Sequence, residues 1–404
     1  MKYVVILGDG MADYKDGPLN GKTPLEIANK PFIDSLVKKS ETGLLQSVPF
    51  GMKPGSDVAN LSVLGYDPKE CYTGRSPLEA ASIGIALKDT DVTARANLVT
   101  LSDEEKFEDK KMIDYSAGEI STAEAKELIE YLASKLNDEK YSLYAGVSYR
   151  HCLVMTNGVI AGDFTPPHDI TGKPIKEYLP KSEEGLKGLE LMKKSYELLK
   201  DHPINLARIK AGKNPASSLW LWGEGTKPAL QNFKERFNLD GGIISAVDLL
   251  KGIGKLADMK VIEVEGATGN YDTNFIGKAK ATVDALKGGL DFLYLHMEAP
   301  DECGHHGDAD KKIYSIEQIS ETVVKYIAEE LEKAGEDYSL LILPDHPTPL
   351  SIMTHVSDPV PYVLYRSNSI YQGKTASKYT EDEAKSTGIF TSDGVSLMKK
   401  FLNN

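Results

Sequence analysis

The chain has 404 residues, 41% hydrophobic and 26% charged, ordinary globular proportions that exclude a disordered, collagenous or coiled-coil protein. Its formal net charge of −13 leaves no global basic field to hold nucleic acid or an anionic membrane, so an anionic substrate must be met by local cations. Apolar runs such as residues 3–7 and 340–343 fall far short of the ~20 residues that span a bilayer, and the scattered Cys71, Cys152 and Cys303 offer neither a disulfide framework nor a CxxC metal pair. Met1-Lys2-Tyr3-Val4 runs into a strand that Asp9 interrupts, with no small-residue cleavage site, so no secretory signal and a reduced, cytoplasmic setting are expected.

In chain order, Val4-Val5-Ile6-Leu7 predicts a strand ending at Gly8-Asp9-Gly10. A Gly- and Pro-rich stretch stops at Ser56, where the pattern turns helical, so Ser56 sits at a helix N-terminus. Residues 96–214 read differently: short polar strands over 96–113, a helix rich in Ala, Glu and Lys over 122–136, a strand over 149–156 and the loop Thr165-Pro166-Pro167-His168. They predict a smaller α+β domain, 96–214, inserted into a core made of 1–95 and 215–404. Beyond it, runs at 218–221, 243–244, 261–264, 292–295, 340–343 and 363–364 alternate with helical patterns at 273–287 and 313–334. The fold class is therefore α/β, a mostly parallel central sheet flanked by helices.

Acidic and imidazole groups gather just after these strands, where open α/β sheets place their ligand crevice. Asp9 lies between two glycines, a pattern that also suits a simple turn. Asp301 and His305 are four apart and share one helical face; alternatively Asp301 caps the helix and the histidines are solvated. His306 and Asp308 have the weaker claim. Asp345 and His346 end a strand between prolines, and His355 follows in a loop. Ser56 either caps its helix or presents a hydroxyl where free N–H groups favour an anion. Asp9, Asp301, Asp345, His305, His346 and His355 are too many ligands for one tetrahedral ion and suit two, of manganese, zinc or magnesium. Such a pair activates a hydroxyl and neutralises phosphoryl charge without a histidine base.

In Gly8-Asp9-Gly10-Met11, Lys22-Thr23-Pro24-Leu25-Glu26, Pro54-Gly55-Ser56-Asp57, Leu64-Gly65-Tyr66-Asp67-Pro68, Tyr72-Thr73-Gly74-Arg75, Arg95-Ala96-Asn97, Trp220-Leu221-Trp222-Gly223 and Glu265-Gly266-Ala267-Thr268-Gly269, the chain resembles the cofactor-independent phosphoglycerate mutases, archaeal-type branch, of the alkaline phosphatase superfamily. The resemblance implies a phosphatase-like core with an inserted substrate-binding lid domain, and isomerisation of 3- and 2-phosphoglycerate without 2,3-bisphosphoglycerate. It assigns the transiently phosphorylated serine to Ser56, one divalent ion to Asp301, His305 and His355, and a second to Asp9, Ser56, Asp345 and His346, with Mn2+ first among Mn2+, Zn2+ and Mg2+. Arg75, Arg95, Arg150 and Lys213 are the candidate cations for the substrate's anionic groups. His306 and Pro344 depart from the mutase pattern, and Tyr149-Arg150-His151 with Thr165-Pro166-Pro167-His168-Asp169-Ile170 resembles an offshoot proposed to act as homoserine kinase. A homoserine kinase or a phosphomonoesterase is therefore the alternative. The implied partner is a small phosphorylated substrate; nucleic acid and membrane are not expected, and the sequence is silent on oligomeric state.

Overall fold

A computed structural model describes residues 1–403. The chain forms two compact units, one of 1–72 with 229–403 and the other Thr73–Pro228.

The first unit is built on an eight-stranded sheet in the order Phe390–Thr391, Glu41–Leu45, Val360–Arg366, Tyr338–Leu343, Lys2–Gly8, Phe292–Met297, Gly241–Ile244, Lys260–Val261. Val360–Arg366 runs antiparallel to both its neighbours, and every other pairing is parallel. The sheet is thus mostly parallel, as the alternation of apolar runs and helices predicts. Tyr338–Leu343 and Phe292–Met297 are buried at every residue, the continuous burial of strands covered on both faces. Register carries the functional consequence. Leu7 lies opposite both His296 and Leu343, so three neighbouring parallel strands end level and the residues just past them converge.

The helical pattern at 273–287 becomes the helix Phe275–Lys287, with the Asn274 side chain accepting from the Gly277 N–H. The pattern at 313–334 is broken into Ala309–Gln318, a π-helical turn Ile319–Val324 and Lys325–Lys333.

The second unit is an antiparallel sheet around Val92–Leu101, buried along its whole length and paired with Arg150–Met155 and Ser218–Thr226. Its core includes Leu98, Leu128, Leu153, Met192, Leu219 and Trp220. The Thr122–Leu136 helix covers it, N-capped by Ser121. This unit is wider on both sides than the expected 96–214. The run at 218–221, expected in the parallel sheet, is an antiparallel partner of Val92–Leu101 instead, and that pairing draws both flanks into one unit. A buried strand has the same apolar composition in either kind of sheet. The ends of the unit are tied together: the Thr73 hydroxyl donates to the Thr226 carbonyl. A Cβ on Gly74 would lie 2.3 Å from the Glu224 carbonyl oxygen, and Gly74 has φ +138°, so only glycine fits that approach.

Candidate metal centre and cation cluster

Where the three parallel strands end level, Asp9 follows Lys2–Gly8, Asp345 and His346 follow Tyr338–Leu343, and Asp301 and His305 lie on the helix Ala299–His305 just past Phe292–Met297. Ser56 is the first residue of the helix Ser56–Val63. Its side chain makes no capping bond; Oγ lies 3.2 Å from His346 Nε2. Asp301 is not a cap either. It is buried, with Oδ2 3.2 Å from His305 Nε2, Oδ1 3.4 Å from His355 Nε2, and a hydrogen bond from the Thr348 hydroxyl.

Two sets of side chains can each gather ligand atoms within 4.8 Å: Asp301, His346 and His355, and Asp9, Asp345 and His346. His346 belongs to both, where the family resemblance places it in one. His305 stands at the outer edge, its Nε2 2.8 Å from His355 Nε2. His306 and Asp308 turn away: the His306 ring bonds the Glu302 carbonyl and Asp308 caps the next helix.

The residues fit a cation. Asp9 Oδ1 is buried without a hydrogen-bond partner. Burial, then the nearby Asp345 and Asp301, pushes the Asp9 carboxyl well above its usual range, as expected where carboxylates share a dry site with no counter-charge. Burial acts on Asp301 in the same sense, but hydrogen bonds from His305 and His355 outweigh it and hold that carboxyl well below its usual range. His305 is pushed up to about 9 by its bond to Asp301, whereas burial pushes His346 down.

Several supporting residues escaped the sequence reading. His296 Nε2 lies 2.9 Å from Asp9 Oδ2. Asn60 donates to Asp345 Oδ2 at 2.8 Å and to the Ser56 carbonyl at 2.8 Å, and the Tyr294 hydroxyl donates to Asn60 Oδ1 at 2.6 Å. A polar residue inside an otherwise apolar, fully buried strand, as His296 is, was the available signal.

In the second unit, Arg95 and Arg75 converge on Glu79, with Nε atoms 2.9 and 3.0 Å from its carboxylate. Arg75 and Glu79 are four apart, and Arg95 comes from the central strand. Asn97 lies opposite Arg150, two residues along from Arg95 and on the same face of the sheet. The Arg95 guanidinium stacks 4.2 Å from the Trp222 ring centroid, and the His168 ring packs edge-on to Trp222. Burial lowers Arg95 to about 10, against the pull of Glu79. Burial would raise Glu79, but Arg95, Arg75 and Arg150 hold it below its usual value. More guanidinium than carboxylate is gathered here, which suits an added anion. Lys213 is exposed in the turn after Pro203–Lys210, within electrostatic reach of Glu124, and no described contact joins it to this cluster.

Fold and site together define a two-unit α/β protein with a buried carboxylate–imidazole centre beside a serine at a helix N-terminus. The model of the family described as 2,3-bisphosphoglycerate-independent phosphoglycerate mutase matches residues 37–205. A Methanosarcina barkeri protein named 2,3-bisphosphoglycerate-independent phosphoglycerate mutase is 49% identical over 386 residues, 95% of either chain. Among solved structures, a Pyrococcus horikoshii protein is 29% identical with a TM-score of 0.83, covering 100% of this chain and 97% of its own. The cofactor-independent phosphoglycerate mutase of Thermoplasma acidophilum is 26% identical with a TM-score of 0.66, covering 100% and 99%. The chain belongs to the 2,3-bisphosphoglycerate-independent phosphoglycerate mutase family. Among the described residues no helix is long and apolar enough to cross a membrane.

Proposed function

We propose that this protein interconverts 3-phosphoglycerate and 2-phosphoglycerate in the cytoplasm, without 2,3-bisphosphoglycerate, through transient phosphorylation of Ser56. The observation that carries the reading is the placement of the Ser56 hydroxyl: free of any capping role, 3.2 Å from His346, at a helix N-terminus beside the Asp/His sets. Asp301, His305 and His355 would hold one divalent ion, and Asp9, Ser56, Asp345 and His346 the other, with Mn2+ favoured over Zn2+ and Mg2+. Bound there, such ions supply Lewis acidity that lowers the serine hydroxyl's pKa and offsets charge on the phosphoryl group.

Ser56 Oγ gives up its proton and attacks phosphorus, the bond from phosphorus to the substrate's 3-oxygen breaks, and that oxygen takes up a proton. The Ser56 and Asp57 backbone N–H groups at the start of Ser56–Val63 would meet the phosphoryl oxygens, the Val58 N–H being taken by Asp57 Oδ1. The glycerate turns, its 2-hydroxyl gives up a proton and attacks phosphoserine, and Ser56 is regenerated. Water must stay out meanwhile, because hydrolysis would destroy the intermediate. Arg75, Arg95 and Arg150 hold the substrate's carboxylate, with Lys213 a peripheral contributor.

The test is a parallel assay of the Mn2+-loaded protein with 3-phosphoglycerate and with ATP plus homoserine. Formation of 2-phosphoglycerate is expected. Phosphohomoserine as the sole product would replace the mutase with a kinase, and release of inorganic phosphate alone would replace it with a phosphomonoesterase.

A further inference from the structure

The two carboxylate oxygens of Asp9 stand in different circumstances. Oδ2 meets His296 Nε2 at 2.9 Å, whereas Oδ1 is buried with no hydrogen-bond partner, His346 Nε2 lying 3.7 Å from it. His296 is wholly buried within Phe292–Met297, and its other ring nitrogen, Nδ1, lies 3.2 Å from Ser245 Oγ. Ser245 directly follows the strand Gly241–Ile244, is itself buried, and accepts the Val247 N–H at 3.0 Å.

We propose that Ser245 and His296 form a positioning relay that turns Asp9 so that Oδ1 is presented bare to a divalent cation. The proposal deepens the metal reading given above and rests on it. Donor and acceptor accounting fixes its direction. With a cation bound the Asp9 carboxylate is ionised and only accepts, so the hydrogen between it and His296 sits on Nε2. A ring that donates from Nε2 and keeps that one hydrogen leaves a lone pair on Nδ1, which lies 3.2 Å from Ser245 Oγ. That lone pair needs a donor. The Ser245 hydroxyl has one hydrogen to give, and the oxygen lone pair facing the chain already takes the Val247 N–H. Hydroxyl to Nδ1 and Nε2–H to Oδ2 is then the one arrangement that satisfies every partner. Its outcome is a carboxylate with one oxygen tied and the other free, the role that supporting partners of metal ligands play in general.

Binding of Mn2+, measured by calorimetry on the folded protein, tests this without reference to turnover. His296→Leu should weaken Mn2+ binding by roughly 10–100-fold. His296→Gln, whose amide N–H can occupy the place of Nε2–H, should recover most of that loss, and Ser245→Ala should show a smaller loss. With metal saturating, KM for phosphoglycerate should stay at the wild-type value in each. In the Zn2+-loaded protein, nitrogen NMR should show His296 neutral and protonated at Nε2. Unchanged affinity in His296→Leu, no recovery in His296→Gln, or a ring protonated at Nδ1 overturns the relay. Should His296→Leu fail to fold, the Ser245→Ala affinity and the tautomer decide. A wild-type protein that binds no Mn2+ overturns the metal reading itself.

Discussion

The Asp/His centre of the first unit and the arginine cluster of the second are opposites built by opposite means. In the first, acids are driven together at the level ends of three parallel strands, out of water, and each is held by hydrogen bonds from neighbours such as Asn60, His296 and Thr348. In the second, guanidinium groups gather around the single carboxylate of Glu79 on one face of an antiparallel sheet, steadied by stacking on Trp222. One site lacks positive charge and the other lacks negative charge. Like charges confined in low dielectric are tolerable only if a counter-charge arrives, which supports the cation proposed for the first and the anion proposed for the second.

Breaking the first site should have the largest effect. On the proposed mechanism Ser56→Ala removes the group that receives phosphorus, and turnover should fall by on the order of 10⁴-fold or more with the circular dichroism spectrum unchanged. Retained mutase activity would remove Ser56 from the mechanism. Chelation should abolish turnover as well, reversibly on adding Mn2+, while 3-phosphoglycerate binding to the arginine cluster weakens far less; calorimetry on chelated protein separates the two sites.

The second site should respond differently. Arg95→Met leaves Glu79 short of its buried partner, and we expect KM for phosphoglycerate to rise by roughly tenfold or more, with a stability loss of about 3–5 kcal/mol in chemical denaturation. Glu79→Gln in the same background should recover part of the stability and none of the KM. A KM unchanged in Arg95→Met would show that the cluster is structural.

The smallest expected effect lies away from both sites. Glu381, which accepts the Asp13 N–H and the Thr23 hydroxyl, is pushed by burial from an ordinary 4.5 up to about 7. The folded state thus keeps a proton that the unfolded chain releases, so this group's contribution is full below about 4.5 and is lost as pH rises through about 7. Glu381→Gln should remove that decline, shifting the stability difference from wild type by on the order of 1–3 kcal/mol between pH 4.5 and 7.5 in denaturant midpoints.

Much of the first site could be read from the chain because strand-end acids carry a positional signal: Asp9, Asp301, Asp345 and His346 each follow an apolar run, and Ser56 follows a Gly- and Pro-rich break. The supporting residues could not be read that way. Asn60 is one helical turn beyond Ser56 and looks like any polar helix residue, and Thr348 reads as part of a Pro-rich loop. Arg95 and Arg75 were visible as cations, but Glu79, which organises them, acquires meaning only when the strand from Val92 is laid beside the helix Ser76–Ser82. The compact unit Thr73–Pro228 differs from the expected 96–214 for a related reason: strand partners separated by more than a hundred residues, such as Ala96 and Leu221, leave no trace in local pattern.

The hydroxyl of Thr73 bonded to the carbonyl of Thr226 closes the entire inserted segment into a loop at its own base. A piece of chain clasped in this way can be lifted out or exchanged as a cassette, since its two ends already meet and its interior is self-sufficient. Segment Thr73–Pro228 should therefore be expressible on its own, with its sheet around Val92–Leu101 intact.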